Sequence, residues 1–131
     1  MQLKALALCI AASIMFIAHA YAEDGVPAAD TDKIKVTSGE QIYKSVCQGC
    51  HMPDGKGAAG AGRYPSLANN QNLEYPEYAI FVITYGQKAM PAMGDVLTDQ
   101  QIVDVVTYIR TNFGNTYTEE VTVDQIVPPW P

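Results

Sequence analysis

The most reactive side chains in this sequence stand together in one CxxCH run formed by Cys47, Cys50 and His51. Residues three apart on a helical turn lie on one face, so both thiols can reach the two vinyl groups along one side of a porphyrin. The imidazole that follows can then bind iron beneath the ring. This spacing is the pattern through which c-type haem is attached. It predicts one covalently held haem c, with His51 as an iron ligand.

Two other kinds of site use similar residues. A structural zinc site needs four ligands, usually Cys or His, and the chain beyond residue 22 offers only two Cys and one His. A thioredoxin-like thiol oxidoreductase also has a CxxC motif, at the start of a helix that follows a buried strand. The residues before Cys47 show no such strand. Haem attachment is therefore favoured, and the CxxC thiol oxidoreductase is kept as an alternative.

The N-terminus has the pattern of a secretory signal peptide. Lys4 gives a short positive start, residues 5–18 contain no charge and are mostly apolar, and Ala20-Tyr21-Ala22 is a small-x-small cleavage site. The apolar stretch is shorter than the roughly 20 residues that span a bilayer. We therefore predict export to the periplasm by a signal peptide over residues 1–22, with no membrane span after cleavage.

Cleavage after Ala22 would leave 109 of the 131 residues, which is enough for one small domain. A domain of this size builds only a modest apolar core, and a buried haem would supply much of the rest. The remaining chain has seven Lys or Arg and fourteen Asp or Glu, a formal charge of −7. This acidity argues against nucleic acid as a partner. It suits a protein partner with a positive docking patch. The alternative is that the negative charge only keeps an exported protein soluble.

A helix is predicted to carry the CxxCH motif. It begins at Thr37 or Ser38, each of which has Glu or Gln three residues later, as in a capping box. Its apolar residues continue at helical spacing to Cys50. Gly39 and Tyr43 lie four apart on one face, as expected where another helix approaches closely.

Two more helices are predicted. One spans residues 76–85, begins with Pro76, ends at Gly86, and is apolar almost all round, which predicts burial. The last has a capping box at Thr98 and an amphipathic stripe, and ends at Gly114. No partner strands are apparent. The fold class is therefore all-α, with three principal helices and long loops around one covalently bound haem.

The second iron ligand is predicted to be a methionine, because His51 is the only histidine once the signal peptide is removed. Met52 adjoins His51 and cannot reach the opposite face of the ring, whereas Met90 and Met93 lie in a loop between two helices. Pro91 favours an extended Met90, which suits a side chain projected inward. A thioether ligand would favour electron transfer and raise the potential. Met90 is the predicted ligand, Met93 is the alternative, and a haem sensor or enzyme with an open sixth site is a further one.

Taken together, these features resemble the class I cytochromes c. The resemblance rests on motifs in the family's order, namely a helix ending in CxxCH, a Gly-rich loop, Pro-x-Leu, a Met-Pro loop and a helix ending in Tyr108-Ile109-Arg110. It implies a small cytochrome c fold, thioether bonds at Cys47 and Cys50, and iron bonds from His51 and Met90. It also implies that the carbonyl of Pro65 accepts a hydrogen bond from the imidazole and fixes the ring orientation. The implied function is one-electron transfer, with no catalytic residue acting on a substrate.

The stretch from Met90 to Asn115 is also similar to haem domains of cytochrome subunits that serve periplasmic dehydrogenases. This similarity implies a dehydrogenase as electron donor and a terminal oxidase or reductase as acceptor. Those subunits often carry several haems, whereas this sequence has one CxxCH motif. A free shuttle and a dehydrogenase subunit are thus both open.

The sequence is accordingly divided into four parts. Residues 1–22 are the signal peptide, 23–36 a mobile leader, 37–114 the cytochrome c domain, and 115–131 an extended C-terminal tail. The Gly-rich loop over residues 52–61 is expected to lie along the haem edge.

Overall fold

The computed structural model of this chain describes residues 35–60 and 62–128. The predicted signal peptide, most of the predicted leader and Trp130 lie outside these residues. Within the described residues there are helices and long loops but no strand, which confirms the all-α class. In the same part of the chain, no helix has the length and apolarity needed to cross a membrane.

The first helix, residues 39–51, is called the N-terminal helix here. It consists of an α-helical segment, a π-helical segment and a second α-helical segment, at Gly39–Ile42, Tyr43–Cys47 and Gln48–His51 respectively. It begins at Ser38, whose hydroxyl accepts a hydrogen bond from the backbone N–H of Gln41 at 3.3 Å. Of the two predicted starts, the structure therefore uses Ser38.

The π-helical segment is a departure from the sequence prediction, which expected α-helix throughout. The backbone N–H of Gln48 donates to the carbonyl of Tyr43, five residues back, instead of four as in an α-helix. A π-turn accommodates one extra residue in a helix and is often found at functional sites. Here it ends at Cys47, the first residue of the CxxCH motif.

The central helix spans Pro76–Tyr85 and the C-terminal helix spans Asp99–Thr111. The central helix has the predicted bounds, because Pro76 starts it and Gly86 ends it with φ of 75°. The C-terminal helix begins with the predicted capping box at Thr98. It ends three residues before Gly114, since the backbone at Asn112 is already extended.

The C-terminal helix packs against both of the others. The core lies along it and is formed by buried aliphatic residues and one tyrosine, among them Ile42, Tyr43, Leu73, Ile80, Leu97, Ile102, Val105, Val106 and Ile109. Two short 3₁₀ segments, at Gln71–Glu74 and Val123–Gln125, complete the helical structure. The second of them interrupts the predicted extended tail.

The N-terminal and C-terminal helices cross at Gly39. A Cβ atom at this position would lie 2.1 Å from the carbonyl oxygen of Asp104 and 2.8 Å from Cβ of Tyr108, so the approach requires glycine. Beside it, the ring of Tyr43 packs against those of Tyr108 and Phe113, with centroids 5.6 and 4.8 Å away. The close approach predicted at Gly39 is confirmed.

Replacement of Gly39 by Ala is expected to destabilise the protein by about 1–3 kcal/mol, because the added methyl group forces the two helices apart. Thermal unfolding of the haem-loaded protein would measure this loss. Gly49→Ala is the matched control, since a Cβ on this helical glycine would meet nothing within 4 Å. Equal losses of stability in both variants would contradict the helix crossing as the cause of the destabilisation.

The central helix is buried on one face only. Ala79, Ile80 and Ile83 are buried in the core, whereas Tyr78 is 43% exposed and Phe81 is 46% exposed. With about 100° between successive residues of an α-helix, these two rings lie on the side opposite the core. The predicted burial of this helix is therefore confirmed for the face that packs on the core and does not extend to its outer face.

The tail, residues 115–128, contacts both the C-terminal and the central helix. Val121 is buried in the core, the backbone N–H of Tyr117 donates to the carbonyl of Arg110 at 3.0 Å, and the hydroxyl of Tyr85 donates to the carbonyl of Val127. The tail is thus part of the folded domain.

Arg110 joins three parts of the chain from a position that is only 1% exposed. Its guanidinium donates from Nε to the carbonyl of Leu73 at 2.8 Å, from Nη2 to that of Glu74 at 3.0 Å, and from Nη1 to that of Glu119 at 2.8 Å. These bonds fix the 3₁₀ segment before the central helix, and the tail, to the C-terminal helix.

Candidate haem site

A cavity of about 870 Å³ lies among the three helices, within the range of roughly 300–1,000 Å³ typical of cofactor sites. Its wall includes Cys47, Cys50 and His51 from the N-terminal helix and Met90 from the loop after the central helix. Most of the remaining wall is apolar and includes Leu67, Ala79, Val82, Ile83, Val105 and Ile109. The structure thus brings together the two thiols, the imidazole and one thioether that the sequence analysis singled out.

His51 is nearly buried, with 9% of its surface exposed. Its Nδ1 lies 3.0 Å from the carbonyl oxygen of Pro65, which is the contact that the resemblance implies. Because a carbonyl can only accept, this bond requires a proton on Nδ1 and leaves Nε2 as the nitrogen available to a metal.

The backbone turns sharply directly after His51. Met52 has φ of 65° and ψ of 158°, a region that is otherwise almost reserved for glycine. The hydroxyl of Tyr43 donates to the Met52 carbonyl at 2.7 Å, and the Gly55 N–H donates to the same oxygen at 3.1 Å. These bonds hold the strained turn, and with it the end of the helix that presents His51. The hydroxyl contact of Tyr43 has no local signal in the sequence, because it depends on this turn.

Of the two cysteines, Cys47 is partly buried and Cys50 is exposed. Burial and, to a smaller extent, the neighbouring Cys50 raise the pKa of the Cys47 thiol to about 11. A thiol oxidoreductase needs the opposite, a lowered pKa that yields a reactive thiolate. In addition, no group of three or more His, Cys, Asp or Glu in the described residues is placed to hold a metal ion.

The loop after the central helix is stiff where it carries Met90. Gln87 and Met90 exchange two backbone hydrogen bonds, of 3.0 and 2.9 Å. A Cβ at Gly86 would lie 2.7 Å from the carbonyl oxygen of Met90, so the loop closes tightly against the helix end. Met93 donates its N–H to the carbonyl of Ile83 at 2.8 Å. Both methionines pack against the core, but Met93 is not part of the cavity wall.

The charged residues of the cavity wall are both cations, Arg63 and Lys88, and no described carboxylate belongs to it. Neither residue was predicted from the sequence to belong to the site. Arg63 lies two residues before Pro65, and Lys88 lies two residues before Met90. Positive charge at this cavity suits the two propionate groups of a haem. The apolar wall, the sulfur and nitrogen donors and the two cations together fit haem as the occupant.

Comparison with known proteins identifies the family independently of the geometry of the site. The protein family described as "Cytochrome C oxidase, cbb3-type, subunit III" matches residues 35–109. The chain belongs to this family of c-type cytochromes. Its cofactor is therefore covalently bound haem c, and the protein is an electron-transfer protein.

Three relatives illustrate the similarity. The cytochrome is 33% identical over 75 residues to cytochrome c6 of Synechococcus elongatus, an alignment that covers 56% of this chain and 86% of that protein. It is 38% identical over 96 residues to the fructose dehydrogenase cytochrome subunit of Gluconobacter japonicus, covering 62% of this chain and 20% of the subunit. It is 33% identical over 106 residues to a nicotinate dehydrogenase subunit of Pseudomonas putida, an alignment that covers 73% of this chain and 9% of that subunit. The cytochrome thus spans a fifth or less of the length of these two dehydrogenase subunits.

Proposed function

We propose that this cytochrome is a periplasmic one-electron carrier that accepts electrons from a dehydrogenase and passes them toward a terminal oxidase or reductase. Haem c is attached through Cys47 and Cys50, and its iron is bound by His51 and Met90. The observation that carries this assignment is the cavity wall shared by all four side chains.

Haem c supplies an iron that exchanges one electron between Fe(II) and Fe(III). The residues of this chain hold their positions during that exchange. The Pro65 carbonyl fixes the imidazole of His51, and the backbone bonds between Gln87 and Met90 hold the loop segment that carries the thioether. Because both ligands are held by backbone contacts, the site needs little rearrangement between the two oxidation states.

Two further parts of the proposal concern location and partners. The signal-peptide pattern of residues 1–22 supports export. The dehydrogenase subunits among the relatives support a dehydrogenase as the donor. A free shuttle and a subunit of such a complex both agree with the one-electron role.

Acid–acetone extraction tests the covalent attachment. Because each thioether is a covalent bond to the protein, the wild-type cytochrome is expected to keep its colour in the protein pellet. Cys47→Ala removes one of the two bonds and is expected to reduce the colour retained. The absorbance of pellet and supernatant, compared per mole of protein, measures both outcomes.

Ser45→Ala is a suitable control, because Ser45 is an exposed residue of the same π-helical segment. It should retain haem as the wild type does. Complete extraction of haem from the wild-type protein would contradict attachment at the CxxCH motif.

A further inference from the structure

The outer face of the central helix carries aromatic side chains where a solvent-facing helix normally carries polar ones. Tyr78, Phe81 and Tyr85 fall within about 60° of one another around the helix axis, at roughly 100° per residue. Tyr75, directly before the helix, is 67% exposed. The rings of Phe81 and Tyr85 pack against each other, with centroids 5.3 Å apart. We call these four residues the aromatic face.

The sequence around the aromatic face is acidic. Glu74 and Glu77 are exposed at its N-terminal end, and the chain has no Lys or Arg from residue 64 to residue 87. Arg110, which contacts this region, is buried and directed at backbone carbonyls. The face is therefore apolar in its middle and negative at its N-terminal end.

The aromatic face is continuous with the wall of the haem cavity. Tyr78 is 43% exposed and also lines the cavity. A molecule seated on this face would thus contact a residue that borders the haem site, as a partner in electron transfer must. The tail covers the far end of the face, where the hydroxyl of Tyr85 bonds to Val127.

We propose that the aromatic face is the docking surface for a redox protein whose contact surface carries Lys or Arg side chains around an apolar centre. Such cations pair with Glu74 and Glu77 and stack on the exposed rings of Tyr78 and Phe81. A second copy of this chain is a poorer match, because a two-fold contact would place the same acidic border against itself. The inference rests on the proposed electron-carrier function and adds the partner's chemistry.

The test uses a cation of the required chemistry, tris(1,10-phenanthroline)cobalt(III), which is both positively charged and aromatic. Stopped-flow oxidation of the reduced haem-loaded cytochrome passes one electron from Fe(II) to Co(III), giving Fe(III) and Co(II). Glu77→Lys and Phe81→Ser are expected to slow this reaction on the order of three- to tenfold at low salt, because they remove charge and ring contacts that raise the local concentration of the reagent. Oxidation by ferricyanide, an anion, should not be slowed by either variant.

Glu40→Lys is the matched control for Glu77→Lys. Both glutamates lie in the first turn of a helix and both accept one side-chain hydrogen bond, from Lys44 at 2.7 Å and from Gln125 at 3.1 Å. The two charge reversals change the net charge of the protein equally, but Glu40 pairs with Lys44 and lies on the N-terminal helix, away from the aromatic face. Val96→Ser, at another exposed apolar residue, is the control for Phe81→Ser. Both controls should react with the cobalt reagent at the wild-type rate.

Several results would overturn the proposal. One is an equal rate with the cobalt complex for Glu77→Lys, Phe81→Ser and the two controls. Another is a dimer in sedimentation that Phe81→Ser dissociates, since a second copy would then occupy the face. A chain shortened after Pro128 that reacts faster than the full chain would assign the face to the chain's own last residues. Failure of the wild-type protein to react with either reagent would instead contradict the electron-carrier function itself.

Discussion

Met90→Ala is expected to lower the reduction potential of the cytochrome by ~0.1 V or more, within the ~0.8 V range that axial ligands span. The thioether favours Fe(II), and Ala cannot replace it. The same change should abolish the weak charge-transfer band that oxidised His–Met haem shows near the red end of the visible spectrum. It should also let the reduced protein bind carbon monoxide, which the wild type should not. Potentiometry and optical spectra measure these effects.

Met93→Leu is the matched control, because it removes the other candidate sulfur while conserving most of the side-chain volume. Met93 packs against the core outside the cavity wall, so the band and the potential should stay near their wild-type values. Reversed outcomes for the two variants would assign the iron ligand to Met93. Carbon monoxide binding by the reduced wild-type protein would favour the haem sensor or enzyme with an open sixth site.

Arg110→Met should reduce the free energy of unfolding by about 2–6 kcal/mol, because it removes three hydrogen bonds from a buried guanidinium to backbone carbonyls. The bond to Leu73 is buried, and a buried acceptor left unsatisfied costs about 1–3 kcal/mol. Glu74 and Glu119 are exposed residues, so each of the other two bonds contributes about 0.5–1.5 kcal/mol. Met fills much of the volume, so the loss reports mainly on the hydrogen bonds. Guanidinium unfolding of the haem-loaded protein measures it.

Glu119→Gln separates these carbonyl bonds from the ion pair that Arg110 also makes. The carboxylate of Glu119 lies 3.8 Å from Nη2 of Arg110 and is 83% exposed, and exposed pairs of this kind contribute roughly 0–1 kcal/mol. The variant should therefore remain close to wild type in stability. A loss as large as that of Arg110→Met would mean that the ion pair, and not the backbone contacts, holds the tail.

The parts of the fold that were predictable from sequence are those with local signals. The central helix has its predicted bounds because Pro76 and Gly86 fix each end by their own backbone preferences. The capping box at Thr98 pairs residues only three apart. The approach at Gly39 was also predictable, since glycine next to an apolar helical stripe leaves room for another helix.

The parts that were missed depend on contacts between distant residues. Arg110 stands directly after Ile109 of the apolar stripe and donates to carbonyls 36 and 37 positions earlier in the chain. No local sequence pattern specifies these hydrogen bonds. Asn115 similarly joins Leu67, Asn70 and Ile109 through its side chain. The exposed outer face of the central helix was not predicted for another reason. Apolar composition predicts burial, but Tyr78 and Phe81 remain 43% and 46% exposed, although the tail bonds to Tyr85 at the far end of this face.

The π-helical segment at Tyr43–Cys47 makes chain length, more than residue identity, the critical property of this region. The helix crossing at Gly39 lies before the segment, and Cys50 and His51 of the CxxCH motif lie after it. The extra residue therefore sets the rotation of Cys50 and His51 relative to the crossing. Loss of one residue would restore an ordinary α-helix and turn the motif by about 100° around the axis, away from the cavity. Substitutions at the exposed residues of the segment, Lys44 and Ser45, should thus be tolerated far better than the deletion of either.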